Sequence, residues 1–408
     1  PAALVQPLAY AKTAAFFAGI GYTVLVPAGA MRLPVNAVEP AAARMDSLGM
    51  EDWFVIGHSM GGFAALELII RHSPRVKALA LWASDMPADY SRVTVPMIFI
   101  RGDRDGLLPE ARFTADNPKS AARHAFARTT MPGGNTRTVL HYAPFPLAWA
   151  KGDGTTLIDL DGHAYTDFLG EYSAGLYGHS SPVILAALRE ALEGGIVLGG
   201  PNQYEADLAQ TIRDRFPSIQ LLRFCNSGTE ANVFAIQTAR AVTGKSAVLT
   251  FEGGYHGGVL YFRSGGMPLN LPIPWLSATY NDGDAAAAII REHAKDLAAV
   301  IVEPMMGGGC LPADRDFLFA LRQACSEHNV VLIFDEVMTS RLSTGGYQAM
   351  VGVTPDMTTL GKYLGGGLSF GAFGGRMDLM ARFDPERADS FPHAGTFNNN
   401  VLSMAGGL

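Results

Sequence analysis

Several groups of residues in this chain have the types and spacing that chemistry requires. Val330-Val-Leu-Ile-Phe-Asp335-Glu336-Val337 is an apolar run that ends abruptly in two carboxylates. Lys362 stands between Gly361 and the Gly365-Gly366-Gly367 run, with no other charge near it. A lysine buried in such a segment must be paired, neutralised or covalently used. Asn226-Ser227-Gly228-Thr229-Glu230 joins hydroxyls to a glycine, a pattern that offers backbone N–H groups to an anion. In Gly253-Gly-Tyr255-His256-Gly257-Gly258 an aromatic is framed by glycines, which lets its face lie on a planar ring. Nearer the N-terminus, Gly57-His58-Ser59-Met60-Gly61 has the spacing that lifts a serine hydroxyl onto a sharp turn, with the Met60 amide placed to donate to an oxyanion.

Asp335 and Lys362 have complementary uses in a pyridoxal phosphate site. The amine forms a Schiff base with the cofactor aldehyde, and the carboxylate pairs with the protonated pyridine nitrogen. Each group has a plainer reading when taken alone. An apolar strand ending in Asp-Glu is more often the start of an ordinary loop, a lone lysine is usually solvated, Ser-Gly-Thr serves as a helix cap, and Gly-Tyr-His-Gly as a surface loop. What favours one shared site is that every group falls at the end of a strand.

The elements that place them follow from hydrophobic pattern. Val330 to Phe334 reads as a strand buried on both faces, and the C-terminal ends of parallel strands are where ligands bind. Leu221 to Cys225 reads as a strand followed by a helix to Val242, and Lys245 to Phe251 as another strand. An Ala-rich helix is expected from Ala285 to Leu297, capped by Asp282 or Asp284, leading to a strand at Ala299-Val-Ile-Val-Glu303. Helices are also expected from Pro182 to Leu192 and from Tyr204 to Phe216. Strands alternating with helices make an α/β fold with a mostly parallel sheet.

Composition narrows the classes. The chain has 408 residues, 48% hydrophobic and 17% charged, enough for two or three domains with ample core. Thirty-one basic against 38 acidic residues leave a net charge of −7 without a dense basic stretch, which speaks against nucleic acid as a partner. The longest apolar runs, such as Leu297 to Val302, are too short to span a membrane, so the expectation is a cytoplasmic protein. Cys225, Cys310 and Cys325 are odd in number and widely spaced, and read as buried thiols in a reducing compartment. No spacing of His and Cys calls for a metal.

The front third resembles the α/β-hydrolase family. Trp53-Phe-Val-Ile-Gly57-His-Ser59 runs into a helix from Phe63 to His72. Strands at Val76 to Trp82 and Val95 to Arg101 follow, and then Gly102-Asp103-Arg104-Asp105-Gly106. The resemblance implies that Ser59 is the nucleophile and Asp105 the triad acid, with Asp103 as second choice. The family's histidine follows a further strand; His124 and His141 come next here, and neither stands in such a place. Ser59 is therefore expected to be poorly activated, and residues 1–109 to be a partial α/β-hydrolase domain.

Residues 110–408 resemble the class III aminotransferases of the fold-type I pyridoxal phosphate enzymes, above all the β-amino-acid aminotransferases and glutamate-1-semialdehyde aminomutases. The motifs are Asn226-Ser-Gly-Thr-Glu-Ala-Asn232, Gly254-Tyr-His-Gly257, Val302-Glu-Pro304, Phe334-Asp-Glu-Val337, Leu360-Gly-Lys-Tyr363 and His393-Ala-Gly-Thr-Phe-Asn-Asn-Asn400. By that resemblance Lys362 carries the cofactor and Asp335 pairs with its ring nitrogen. Ser227, Gly228 and Thr229 hold the phosphate, and Tyr255 and Val337 cover the two ring faces. His256 and Glu303 belong to the same cofactor site. Thr396 reaches the phosphate of a partner subunit, which implies a homodimer with shared sites. Arg137 takes a substrate carboxylate, the substrates being an amino acid and an oxo acid. Met306 replaces a glutamine common in the family. The family's C-terminal small domain is expected to be missing, as from a joined or truncated reading frame.

Overall fold

The computed structural model describes residues 43–47, 53–58, 68, 76–82, 97–100, 110–263 and 267–408. The chain divides into two compact units, Pro1–Leu169 and Gly170–Leu408.

The second unit is built on a seven-stranded sheet. Its order from one edge is Trp275–Ala278, Ala247–Phe251, Leu297–Val302, Val331–Asp335, Met357–Gly361, Gly371–Gly375 and Leu221–Cys225. Gly371–Gly375 runs antiparallel to both of its neighbours, and the other strands share one direction. Every residue of Leu297–Val302 and of Val331–Asp335 is buried, because successive side chains point to opposite faces and both faces are covered. On one face Val300, Val302, Leu332 and Phe334 pack with Ala286 and Ile290 of helix Gly283–Glu292 and with Phe317, Leu318 and Leu321 of helix Arg315–His328. On the other, Ala299, Ile301, Val331 and Ile333 pack with Ala231, Ala235, Ile236 and Ala239 of helix Gly228–Thr243. The glycine-rich strand Gly371–Gly375 reflects close backbone approach: a Cβ on Gly374 would lie 2.7 Å from the Leu221 carbonyl oxygen.

Most expected elements are present, including helices Pro182–Glu193 and Gln203–Arg215. One boundary differs. The Ala-rich helix ends at Glu292, and Leu297 opens the next strand, paired with Ala247. Asp296 terminates the helical path because its carbonyl accepts from the amides of Ser246 and Ala247, tying the chain to the sheet edge. Asp282 is the cap, its side chain accepting from the Ala285 amide. Cys225 and Cys325 are buried, but Cys310 is only partly so, since it sits in a turn at φ 53°.

In the first unit Trp53–His58, Val76–Trp82 and Met97–Ile100 form a parallel sheet with Val76–Trp82 in the middle. Helices Glu110–Asp116 and Pro118–Ala127 follow, then an antiparallel sheet of Trp149–Asp153, Thr156–Asp159 and Ala164–Thr166. Asp161 ties these parts together by accepting from the amides of Lys119 and Ser120. Ser59, Met60 and Asp105 lie outside the described residues. No helix among the described residues is long and apolar enough to cross a membrane, and no cluster of three or more His, Cys, Asp or Glu among them could hold a metal ion.

The two carboxylates at the end of Val331–Asp335 separate by the same alternation that buries the strand. Glu336 turns into the scaffold, where it accepts from the amides of Tyr347 and Gln348, from Gln348 Nε2 and from Thr339 Oγ1 at 2.6 to 3.0 Å. It thereby fixes the short helix Gly346–Val351. Removing the carboxylate strands four buried donors, so Glu336→Ala should lose roughly 3 kcal/mol of stability in denaturant unfolding. A loss under about 0.5 kcal/mol would show that this anchor is dispensable.

Candidate active site

Asp335 ends its strand 5% exposed. A carboxylate so buried needs donors, and it has three. Asn232 Nδ2 donates to Oδ2 at 2.8 Å, His256 Nδ1 lies 2.8 Å from the same oxygen, and the Val337 amide donates to Oδ1 at 3.1 Å. Because a carboxylate accepts, His256 holds its proton on Nδ1. Asn232 comes from helix Gly228–Thr243, on the face that packs against the sheet, and its amide is fixed from three sides. Besides Asp335 it donates to the His256 carbonyl at 2.9 Å, and its Oδ1 accepts from Thr359 Oγ1 at 2.6 Å.

Lys362 follows the Met357–Gly361 strand directly, at φ 58°, a left-handed conformation that redirects the chain at the strand end. Its Nζ donates to the Tyr172 carbonyl at 2.7 Å. Burial pushes the amine below its ordinary range; Asp335 opposes this, Arg341 adds to it, and Glu303 opposes it. Glu303 is itself buried beyond the Leu297–Val302 strand. Its Oε1 accepts from the Tyr255 amide at 2.9 Å and its Oε2 from the Gly307 amide at 2.8 Å. Burial holds its carboxyl above the usual range. Glu303 thus fixes the backbone of Tyr255, whose side chain is 51% exposed and meets Tyr261 edge-on.

At the start of helix Gly228–Thr243 a cap and an anion cradle coexist. Ser227 Oγ accepts from the Glu230 amide at 3.1 Å, and Glu230 reaches back to the Asn226 amide at 2.9 Å. This reciprocal box consumes one helix donor and leaves others. The amides of Gly228 and Thr229 have no acceptor among the described residues, as the first N–H groups of a helix must unless a ligand or water supplies one. Thr229 Oγ1 accepts from the Gly258 amide at 3.3 Å. Asn226 Nδ2 donates to Asn398 Oδ1 at 3.1 Å, which ties the turn that carries the exposed Thr396 to this cradle.

Val337 lies over the cradle, and a Cβ added to Gly228 would come within 2.9 Å of both its γ-carbons. Gly228→Ala should therefore cost about 1–3 kcal/mol in denaturant unfolding through overpacking. Combining it with Val337→Ala should recover most of that loss. Additive losses in the double variant would show that the two residues do not share this space.

The structure thus gathers Asp335, His256, Glu303, Tyr255, Val337, Lys362, Ser227, Gly228 and Thr229 at one edge of the sheet. No contact among the described residues brings Thr396 into the group, and Arg137 belongs to the other compact unit. Asn232 and Thr359 complete the Asp335 network, and the charge of Arg341 acts on Lys362; Asn232 closes the Asn226–Asn232 motif without having been given a role, and nothing in the sequence marked Thr359 or Arg341. The set fits pyridoxal phosphate: an amine of lowered basicity, a carboxylate with lone pairs to spare, two unpaired helix-start amides and a half-exposed aromatic face.

Comparison with known proteins agrees with this chemistry. The family model for aminotransferase class-III matches residues 139–407, and that for the alpha/beta hydrolase family matches residues 1–158. The β-phenylalanine transaminase of Variovorax paradoxus is 52% identical over 297 residues, 72% of this chain and 68% of that protein. Its crystal structure superposes with a TM-score of 0.71 over 73% of this chain and 69% of its own. A solved transaminase with pyridoxal phosphate bound is 33% identical with a TM-score of 0.67, covering 71% of this chain and 72% of its own. A glutamate-1-semialdehyde aminomutase from Pseudomonas aeruginosa is 26% identical with a TM-score of 0.67, covering 73% of this chain and 71% of its own. With the cradle, the buried carboxylate and the lysine found together, and a family match over most of its length, the chain belongs to the class III aminotransferases, pyridoxal phosphate-dependent enzymes.

Proposed function

We propose that this chain moves an amino group from a β-amino acid to an oxo acid, with Lys362 as the residue that carries pyridoxal phosphate. The observation that carries the reading is the pair formed by Lys362, with its less basic amine, and Asp335, with its three donors, at neighbouring strand ends. When bound, the cofactor supplies an electron sink for breaking the C–H bond beside the substrate nitrogen. The protein's own part is positional and protolytic. Asp335 holds the ring nitrogen, and His256 and Asn232 keep its carboxylate aimed. Ser227, Gly228 and Thr229 take the phosphate, and Tyr255 and Val337 enclose the ring, with Glu303 bracing Tyr255. Lys362 Nζ takes the proton from the substrate carbon that bears nitrogen.

The β-amino-acid assignment is supported by the 52% identity to the V. paradoxus enzyme, against 26% to the aminomutase, and the same reading gives the substrate carboxylate to Arg137. A homodimer in the cytoplasm, with Thr396 of the partner subunit completing each phosphate site, belongs to the same proposal. So does a division into a partial hydrolase segment, 1–109, and an aminotransferase segment, 110–408.

Borohydride reduction of the cofactor-loaded chain, followed by peptide mapping, should place the adduct on Lys362; an adduct on another lysine, or none, sinks the assignment. Assays should show transamination of β-phenylalanine with 2-oxoglutarate, whereas turnover of glutamate 1-semialdehyde alone would establish the aminomutase reaction instead. Asn232→Ala leaves Asp335 one donor short, and the cofactor should bind roughly tenfold more weakly in an absorbance titration. Unchanged affinity would show that Asn232 does not orient the carboxylate.

A further inference from the structure

Arg341 closes the turn Thr339–Arg341 that follows the Asp335 strand. Its guanidinium donates from Nη1 to the Ser173 carbonyl, at 3.3 Å. Lys362 Nζ rests on the carbonyl of the preceding residue, Tyr172. Consecutive Cα atoms are about 3.8 Å apart, so two cations are held on adjacent carbonyls of one loop. That loop is unusual in itself: Gly170, Glu171, Tyr172 and Ser173 have φ of 56°, 49°, 53° and 77°. Non-glycine residues persist in a left-handed run only where their surroundings hold them. Here the surroundings include the lysine and the arginine.

We propose that Arg341 is a positioning residue for Lys362, one that fixes the loop carbonyl next to the lysine's resting place and sets a permanent positive charge on the same loop. The proposal rests on Lys362 being the cofactor lysine. Two like charges bonded to adjacent carbonyls and partly buried repel each other, and an arginine does not yield its proton. The lysine does. The charged groups that face it are Asp335 and Glu303, which favour the ammonium, and Arg341, which opposes it; burial acts in the same sense as Arg341. An unprotonated amine has the lone pair that capture of an aldehyde requires, so the arginine readies the lysine without touching cofactor or substrate.

The test uses the full chain freed of cofactor, trace-labelled with acetic anhydride across a pH series, with the Lys362 peptide quantified by mass spectrometry. Wild-type Lys362 should titrate below the ordinary lysine value of about 10.4. Arg341→Gln and Arg341→Met should raise that midpoint by about one unit, with roughly tenfold slower labelling and tenfold slower uptake of pyridoxal phosphate at neutral pH. Arg341→Lys, which keeps the charge, should restore most of the wild-type midpoint. An unmoved midpoint in a folded neutral variant overturns the proposal. A wild-type midpoint at or above the ordinary value overturns it without any variant. Borohydride trapping on a different lysine, with the midpoint shift intact, would overturn the cofactor assignment and leave the charge relation standing.

Discussion

The site depends on keeping one carboxylate buried. Asp335 stands at the end of a strand buried along its whole length, where an unpaired charge costs several kcal/mol. Its stabilisation must come from donors brought in by other elements. The helix Gly228–Thr243 brings Asn232, the loop after Ala247–Phe251 brings His256, and the strand Met357–Gly361 brings Thr359, which fixes the Asn232 amide. Satisfying one carboxylate therefore locks a helix and three strands in register, and the same elements carry the cradle at Gly228 and the lysine at 362. Site and scaffold share their hydrogen bonds.

The neighbouring carboxylates Asp335 and Glu336 show how little separates a functional residue from a structural one. Both are buried, both accept several hydrogen bonds, and they are adjacent in sequence. Strand alternation sends them to opposite sides. Asp335 accepts three hydrogen bonds, with only the Val337 amide on Oδ1, and so keeps acceptor capacity, whereas Glu336 is surrounded by four donors of the Thr339 to Gln348 segment. Burial alone would not distinguish them; the unused acceptor capacity does.

Much of this was legible in residue order. Fully apolar runs such as Val330 to Phe334 announce strands covered on both faces, and strand–helix alternation announces a parallel sheet with its ligands at one edge. The helix end at Glu292 was not legible, because Leu297 suits a helix as well as a strand and the decision falls to pairing with Ala247, distant in sequence. Asn232 was hidden for a similar reason. An asparagine inside a helix is unremarkable until tertiary packing sets its two donors against Asp335 and the His256 carbonyl. Ser227 had two readings, cap and cradle, and both hold, since the serine hydroxyl serves the helix while the following amides stay free.

Charge at this edge of the sheet behaves as a set. The Glu303 carboxyl is driven up by burial, drawn down by His256, and driven up again by Asp335, while its two amide donors draw it down. His256 bonds Asp335 and faces Glu303, and Lys362 answers to both carboxylates and to Arg341. A proton added to any of the group changes the field at the others, so proton uptake here is a property of the cluster, not of a single side chain. Met306 fits this arrangement. Buried in the short strand Met305–Met306, between Glu303 and Gly307, it puts a thioether where a glutamine would add another hydrogen-bonding group. The carboxylate thus takes its donors from the backbone amides of Tyr255 and Gly307, which do not titrate and hold their direction whatever the proton count of the cluster. Fixed donors around a titrating set keep the geometry constant while the charge moves, which is what a reaction that passes protons from atom to atom requires of its scaffold.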